Sequence, residues 1–302
     1  MIDPVQVLWS PAGATMPSLG AQPLVDVHDG DTPNMRMPIR MLSVDTPEVT
    51  AVTAQRAAKV DQEFAQLATW IRQGIAPISA GLAEFLLPKL ETGKAGSLQF
   101  EQGTAAAAFN TQNILTRLAL PKNKQRRLFI RTADSPFDTN HRLLAYIAPS
   151  FTAKELATLP REQRSTFNLD LIASGWAATF IIYPSIPGEL DLPLLLSAAE
   201  KAVADESGIW ADSDTLLGYE YRMVEKLHTV TKKKADGVQL KPGEAFSWRE
   251  RYCVDMRDRI LHGPEDYFRV DPVYRLWLWQ KDVNEAVSRL NLTPSARLVS
   301  VE

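Results

Sequence analysis

Short segments with apolar residues at alternate positions are interspersed with longer ones in which they recur every three or four positions. Residues 22–27 alternate and residues 37–44 are rich in Met, Ile, Leu and Val, which predicts two short strands with the turn Asp29-Gly30-Asp31-Thr32 between them. From residue 53 to 74, Ala57, Val60, Phe64, Leu67, Ala68 and Ile71 keep helical spacing, and Gly74 supplies the stop. A second helix is expected over 79–87, ended or kinked by Pro88, and a third over 104–118. A basic loop and strand follow over 122–134, then a strand over 143–147 and helices over 167–178 and 192–204. Beyond residue 212 the spacing predicts helices over 215–235, 244–261 and 272–290, the last with bulky aromatics on its buried side. There is no internal repeat, heptad array or low-complexity run.

Composition narrows the class. With 302 residues, 45% of them hydrophobic, the chain has enough apolar material for one large domain or a medium domain with a companion. A net charge of −3 gives no overall attraction for a polyanion, so any nucleic-acid contact must use local basic patches. The densest lies between residues 117 and 131, with Arg117, Lys122, Lys124, Arg126, Arg127 and Arg131 and no acid. It reads either as a track for a phosphate backbone or as a solvated face. Cys253 stands alone, which excludes an intrachain disulfide framework and a multi-cysteine zinc site and leaves it as a small buried apolar residue. The mostly apolar stretch 171–186 is interrupted by Ser174, Gly175 and Pro184 and is shorter than a membrane span. Residues 1–21 read as an irregular lead-in without a secretory pattern, so the expectation is a soluble, cytoplasmic protein.

The chemistry is concentrated between residues 24 and 48. Asp26, Asp29, Asp31, Asp45 and Glu48 face only Arg36 and Arg40 there. Carboxylates this crowded repel one another unless a cation or a fixed arginine offsets them. A hard divalent cation such as calcium takes the all-oxygen shell that this segment offers. Equally, Asp-Gly is a favoured hairpin turn and needs no metal to explain it.

Read together, Asp29-Gly30-Asp31-Thr32 and Arg40-Met41-Leu42-Ser43-Val44-Asp45-Thr46-Pro47-Glu48 resemble the paired motifs of the staphylococcal nuclease (thermonuclease) family. There, DGDT is followed by an Arg-hydrophobic strand ending in D-[TA]-P-E. Downstream, residues 138–147 are similar to the segment carrying the family's second catalytic arginine, which the register places at Arg142. Residues 103–109, 128–134, 168–177 and 198–210 are similar to further family elements in the same order. The resemblance covers residues 22–50 and 103–213.

This resemblance implies an α+β fold, a five-stranded OB-fold-type β-barrel with three helices. A helical insertion over about 49–102 and a helical C-terminal extension over 214–302 would accompany the 22–213 nuclease domain. It implies a Ca2+ site with Asp31, Asp45 and the Thr46 carbonyl as ligands, Glu48 as general base, and Arg40 and Arg142 on the phosphate. It also implies Tyr183 against a nucleobase and DNA or RNA as substrate, while the basic patch over 117–131 offers Arg126 and Arg127 as further candidate substrate contacts. The alternative is a related module that binds nucleic acid or protein without cutting. Four features depart from the family pattern. The insertion stands where a short loop is usual, and by its position it should pack beside the site. The hairpin is shortened and begins at Pro33. His141 replaces a common glycine, and Ile181 replaces one of two tyrosines.

Overall fold

The computed structural model describes residues 21–49 and 53–299, so the expected lead-in lies, up to residue 20, outside the described residues. Two short strands open the path, β1 (Leu24–Val27) and β2 (Pro33–Met35). The next predicted strand is realised in two pieces, β3 (Ile39–Met41) and β4 (Ser43–Asp45). Helices α1 (Ala54–Arg72), α2 (Ala80–Leu90) and α3 (Ala95–Leu118) follow. A small ribbon, β5 (Ala119–Leu120) and β6 (Lys124–Gln125), leads to β7 (Leu128–Phe137) and β8 (Leu143–Pro149). Then come α4 (Ala153–Thr158), α5 (Phe167–Ala173), β9 (Ala178–Ile182) and α6 (Leu192–Ala204). The remainder holds α7 (Gly218–Ala235), β10 (Arg251–Asp255), β11 (Ile260–His262), β12 (Arg275–Trp279), α8 (Val283–Leu290), β13 (Thr293–Pro294) and α9 (Ala296–Val299).

Local chemistry explains the helix starts. The side chains of Thr53, Ser79 and Thr166 each accept a hydrogen bond from a backbone N–H in the first turn of α1, α2 and α5. The insertion is helical as expected, and α2 continues through Pro88 to Leu90. The third helix begins at Ala95, earlier than its spacing indicates, so the insertion runs without a break into α3.

The six-stranded sheet has the order β13-β11-β10-β12-β9-β4. Its central strands are covered on both faces, and strand alternation sends successive side chains into opposite cores. Cys253, Trp277 and Phe180 enter one core with Phe64, Leu67, Leu86, Tyr221 and Leu227, that is, with α1, α2 and α7. Their neighbours Val254, Leu276, Leu278 and Ile181 enter the other with Leu171, Leu195 and Ala286, that is, with α5, α6 and α8. Cys253 is buried, as expected of a small apolar residue.

Two expectations require correction. The α+β class is present, but among the described residues no barrel closes. β3 pairs with β8 in the three-stranded sheet β3-β8-β7, while β4 pairs with β9 in the six-stranded one. The chain changes sheet at Ser43, whose φ is 60°. Among the described residues the β1-β2 ribbon pairs only with itself, and no strand covers the far edge of β7. The C-terminal region is not all helical either: the segments expected as helices over 244–261 and 272–290 contain β10, β11 and β12. Arg-Leu-Trp-Leu-Trp (275–279) has apolar residues consistent with either period. Burial on both faces between hydrogen-bonded neighbours selects the strand. The sheet therefore joins strands from both sides of residue 213. Among the described residues, no helix is long and apolar enough to cross a membrane.

The turns after α5 and α6 are locked back to back. Gly175 has φ 74°, its carbonyl accepts from Ile209 N at 2.9 Å, and a Cβ there would run into the Ser207 backbone. Gly175→Ala should therefore cost about 1–3 kcal/mol of stability, combining overpacking with a left-handed backbone that alanine disfavours. A shifted urea midpoint checks this, and an unshifted midpoint contradicts the packing.

Candidate active site

The alternation that sends Val44 into the α5-α6 core turns Asp45 to the α7 side of the same sheet, where it is 1% exposed. A carboxylate in such a place needs fixed partners. Helix α7 brings one of them. Glu220 in its first turn accepts the Leu217 N–H at 3.1 Å and Arg275 Nη1 at 3.2 Å, with Lys89 Nζ 3.7 Å away, which fixes where the helix begins. At that start, a Cβ on Gly218 would lie 2.6 Å from the Thr46 carbonyl oxygen and 2.7 Å from Asp45 Oδ2. Glycine alone permits this approach. One turn later, Arg222 stands over the same carboxylate.

Three hydrogen bonds converge on Asp45. Arg222 donates from Nη1 to Oδ1 at 3.1 Å and from Nη2 to Oδ2 at 3.0 Å, a planar fork. Arg40 donates from Nη2 to the same Oδ1 at 2.9 Å. Arg222 Nη1 also donates to Glu48, so this guanidinium ties together two of the residues expected in the site. Burial works against its charge, but Asp45 and Glu48 outweigh burial and hold it above the usual arginine range. Helix α3 closes the neighbourhood: a Cβ on Gly103 would lie 2.9 Å from the Pro47 carbonyl oxygen and 3.1 Å from that of Glu48. The Glu48 segment is thus packed against α3, close to the expected end of the insertion.

Other expected residues lie apart. Asp31 sits in the exposed turn of the β1-β2 ribbon, where Thr32 Oγ1 donates to its Oδ1 at 3.1 Å. Arg142 immediately precedes β8, the parallel neighbour of β3, and donates from Nε to Asp138 Oδ2 at 2.8 Å. Burial would raise the Asp138 carboxyl, but the backbone and side chain of Arg142 outweigh it and hold the group below its ordinary value. His141, where the family pattern has glycine, has φ 59°, the left-handed conformation that glycine adopts at no cost. Neither Asp31 nor Arg142 has a hydrogen bond or ion pair to the Asp45 cluster.

The expected substrate contacts fare differently. Tyr183 is 5% exposed and its hydroxyl donates to Glu285 at 3.1 Å, so the ring belongs to the core and offers no face to a base. Arg126 donates from Nη1 to Glu155 Oε2 at 3.0 Å, which commits it to α4, whereas Arg127 is exposed. Together with Thr152, that arginine draws the Glu155 carboxyl down to about 2.

The oxygens of Asp31, Asp45 and Thr46 are hard donors of the type calcium prefers. In this arrangement they do not form a seat for it, because both Asp45 oxygens receive guanidinium hydrogen bonds and Asp31 lies on a separate ribbon. Among the described residues, no three His, Cys, Asp or Glu side chains form a metal-holding group.

Sequence reasoning missed Arg222, and with it Arg251 on β10. Arg251 is the register partner of Trp279, and its guanidinium lies 4.1 Å from the Trp279 ring centroid and 5.4 Å from that of Phe180. No local pattern in the C-terminal region distinguishes these arginines from surface ones. The docking of α7 places Arg222 at Asp45, and the sheet order brings Arg251 to the same side.

No protein-family model matches the chain. It is similar to Endonuclease YhcR of Bacillus subtilis (strain 168), with 26% identity over 135 residues, which are 44% of this chain and 11% of that protein. The chain therefore matches only a small part of that relative's length.

Replacing Asp45 leaves two partly buried guanidinium groups without their shared anion. Asp45→Asn should destabilise the fold by about 3 kcal/mol, read from chemical denaturation. A change within about 0.5 kcal/mol would show that the arginines find equivalent partners elsewhere.

Proposed function

We propose that this chain is a nuclease that hydrolyses phosphodiester bonds of DNA or RNA by in-line attack of water. The observation that carries this reading is the convergence of Arg40, Asp45 and Glu48 on one partly buried polar cluster. The similarity to an endonuclease supports it. The finer reading is a thermonuclease-type domain over 22–213, with its strands arranged as an opened relative of the expected barrel.

A phosphodiester carries negative charge that repels an incoming hydroxide, and more charge gathers on its oxygens in the transition state. Planar guanidinium groups meet those oxygens with paired, charge-assisted hydrogen bonds. Arg40, 28% exposed at its side chain, is anchored to Asp45 by one nitrogen, which leaves its remaining donors for the phosphate. Arg142, 38% exposed at its side chain, reaches the phosphate by exchanging Asp138 for it. Glu48 acts as the base that takes the proton from the attacking water when Arg222 turns from it towards the substrate; the opposite P–O bond breaks, and the departing alkoxide oxygen takes a proton from solvent water. Asp45 holds the two arginines rather than reacting. Calcium is proposed as cofactor; when bound it would supply Lewis acidity and charge neutralisation. Its expected ligands do not form a seat in this arrangement, and the roles of Arg40, Arg142 and Glu48 do not depend on it.

A second reading, a module that binds nucleic acid without cutting it, has one observation in its favour. Glu48 is already engaged by Arg222, which stands where an attacking water would have to meet the carboxylate.

Labelled single-stranded DNA and RNA, incubated with calcium and with chelator, separate the readings. The parent protein should cleave, and Glu48→Gln should lower single-turnover cleavage by about 10²–10⁴-fold with substrate binding nearly intact. Tight binding by the parent with no cleavage under any divalent ion would favour the binding module. Equal cleavage by parent and Glu48→Gln would remove Glu48 from the mechanism.

A further inference from the structure

We propose that Arg251, with Arg222 and Arg40, forms an oxyanion seat for a backbone phosphate of the nucleic-acid substrate, so that the C-terminal region supplies part of the binding site. The inference rests on the nuclease reading and extends it to residues outside the portion that resembles the thermonuclease family.

The geometry is set by the sheet. Asp45, Phe180 and Arg251 all lie on its α7-facing side, because Phe180 and Cys253 both enter the core beneath α7 and Arg251 is two residues before Cys253. Phe180 brings the guanidinium groups together: Arg251 lies 5.4 Å and Arg222 5.7 Å from its ring centroid, and Arg222 shares Asp45 Oδ1 with Arg40. Three guanidinium groups from β3, α7 and β10 thus surround one small region.

Arg251 is the member without an adequate partner. Its side chain is 18% exposed, yet among the described residues its ion pair is with Glu250 Oε2 at 3.6 Å, and the other oxygen of Glu250 is taken by Lys226. Its buried Nε has no hydrogen-bond partner among the described residues. Burial lowers its affinity for its proton against the opposing charges of Glu250 and Asp45, with Arg222 and Arg40 adding to the effect of burial, although a guanidinium stays charged at neutral pH. Trp279 and Phe180 hold the guanidinium in place without neutralising it.

Charge completes the argument. Asp45 and Glu48 are already engaged by Arg40 and Arg222. A phosphodiester would supply Arg251 with the anion that Glu250, shared with Lys226, offers only at 3.6 Å. Its two free oxygens suit planar donors arriving from different directions.

The test is fluorescence anisotropy of a labelled single-stranded oligonucleotide in chelator at several salt concentrations, beside single-turnover cleavage of the same oligonucleotide. Arg251→Gln should weaken binding about tenfold or more and reduce the salt slope by about one counterion, while Arg251→Lys should bind within about threefold of the parent and keep its slope. If the parent cleaves and Arg251→Gln binds with parental affinity and slope, the seat is overturned while the nuclease reading stands. A parent that neither binds nor cleaves overturns both. Should Arg251→Gln fail to fold, phenylglyoxal labelling of the parent decides: protection of Arg251 by the oligonucleotide supports the seat, and equal labelling with and without it overturns the seat.

Discussion

Everything proposed for this protein depends on one buried carboxylate. Asp45 is 1% exposed and takes hydrogen bonds from two arginines that come from distant parts of the chain. An unpaired charge in that position would cost several kcal/mol, so the fold must deliver both guanidinium groups before the strand can end where it does. Arg40 arrives locally, five residues upstream on the strand that bends at Ser43. Arg222 arrives only when α7 docks, and α7 docks only because Gly218 lets the helix start touch Thr46 and Asp45. The electrostatic need at β4 and the packing of the C-terminal region are therefore one constraint seen from two sides.

The sheet converts that constraint into a site. Strand alternation sorts the residues of β4, β9, β10 and β12 between two cores, and those that face α7 include Asp45, Phe180 and Trp277. Helices α1 and α2 seal the same side, with Phe64 against Tyr221 at 5.4 Å and Trp70 stacked on His228 at 5.7 Å. The insertion contributes to the wall behind α7, and α3, which continues from it, braces the Glu48 segment through Gly103. Far from being an appendage, the C-terminal region provides four of the six strands of the sheet on which the site is built, β10, β11, β12 and the edge strand β13.

How much of this was legible in the sequence follows from the range of each signal. The acidic turn, the Arg40–Glu48 segment and the helices of the insertion carry local signals, namely Asp-Gly at a turn and helical apolar spacing, and the structure contains those elements. The break at Ser43 was not legible, because nothing in Met41-Leu42-Ser43-Val44 distinguishes a continuous strand from one that changes sheets. Tyr183 was assigned a base-stacking place by resemblance, yet its neighbours Phe180, Ile181 and Ile182 lead it into the core. Arg222 and Arg251 had no readable signal at all. Arg222 meets Asp45 across 177 positions of chain, and Arg251 reaches the same side of the sheet only through the successive pairings of β10 with β12, β12 with β9 and β9 with β4.

The most direct test is the coupling between Asp45 and Arg222. In a double-mutant cycle of Asp45→Asn and Arg222→Met, each variant alone leaves its partner unsatisfied, and the pair together removes the interaction. Chemical denaturation of the parent, the two single variants and the double variant gives the interaction energy. The account predicts about 2 kcal/mol or more of favourable coupling, with the double variant less destabilised than the sum of the singles. Strict additivity within about 0.5 kcal/mol would contradict it, because α7 would then dock without reference to the carboxylate on which the site is built.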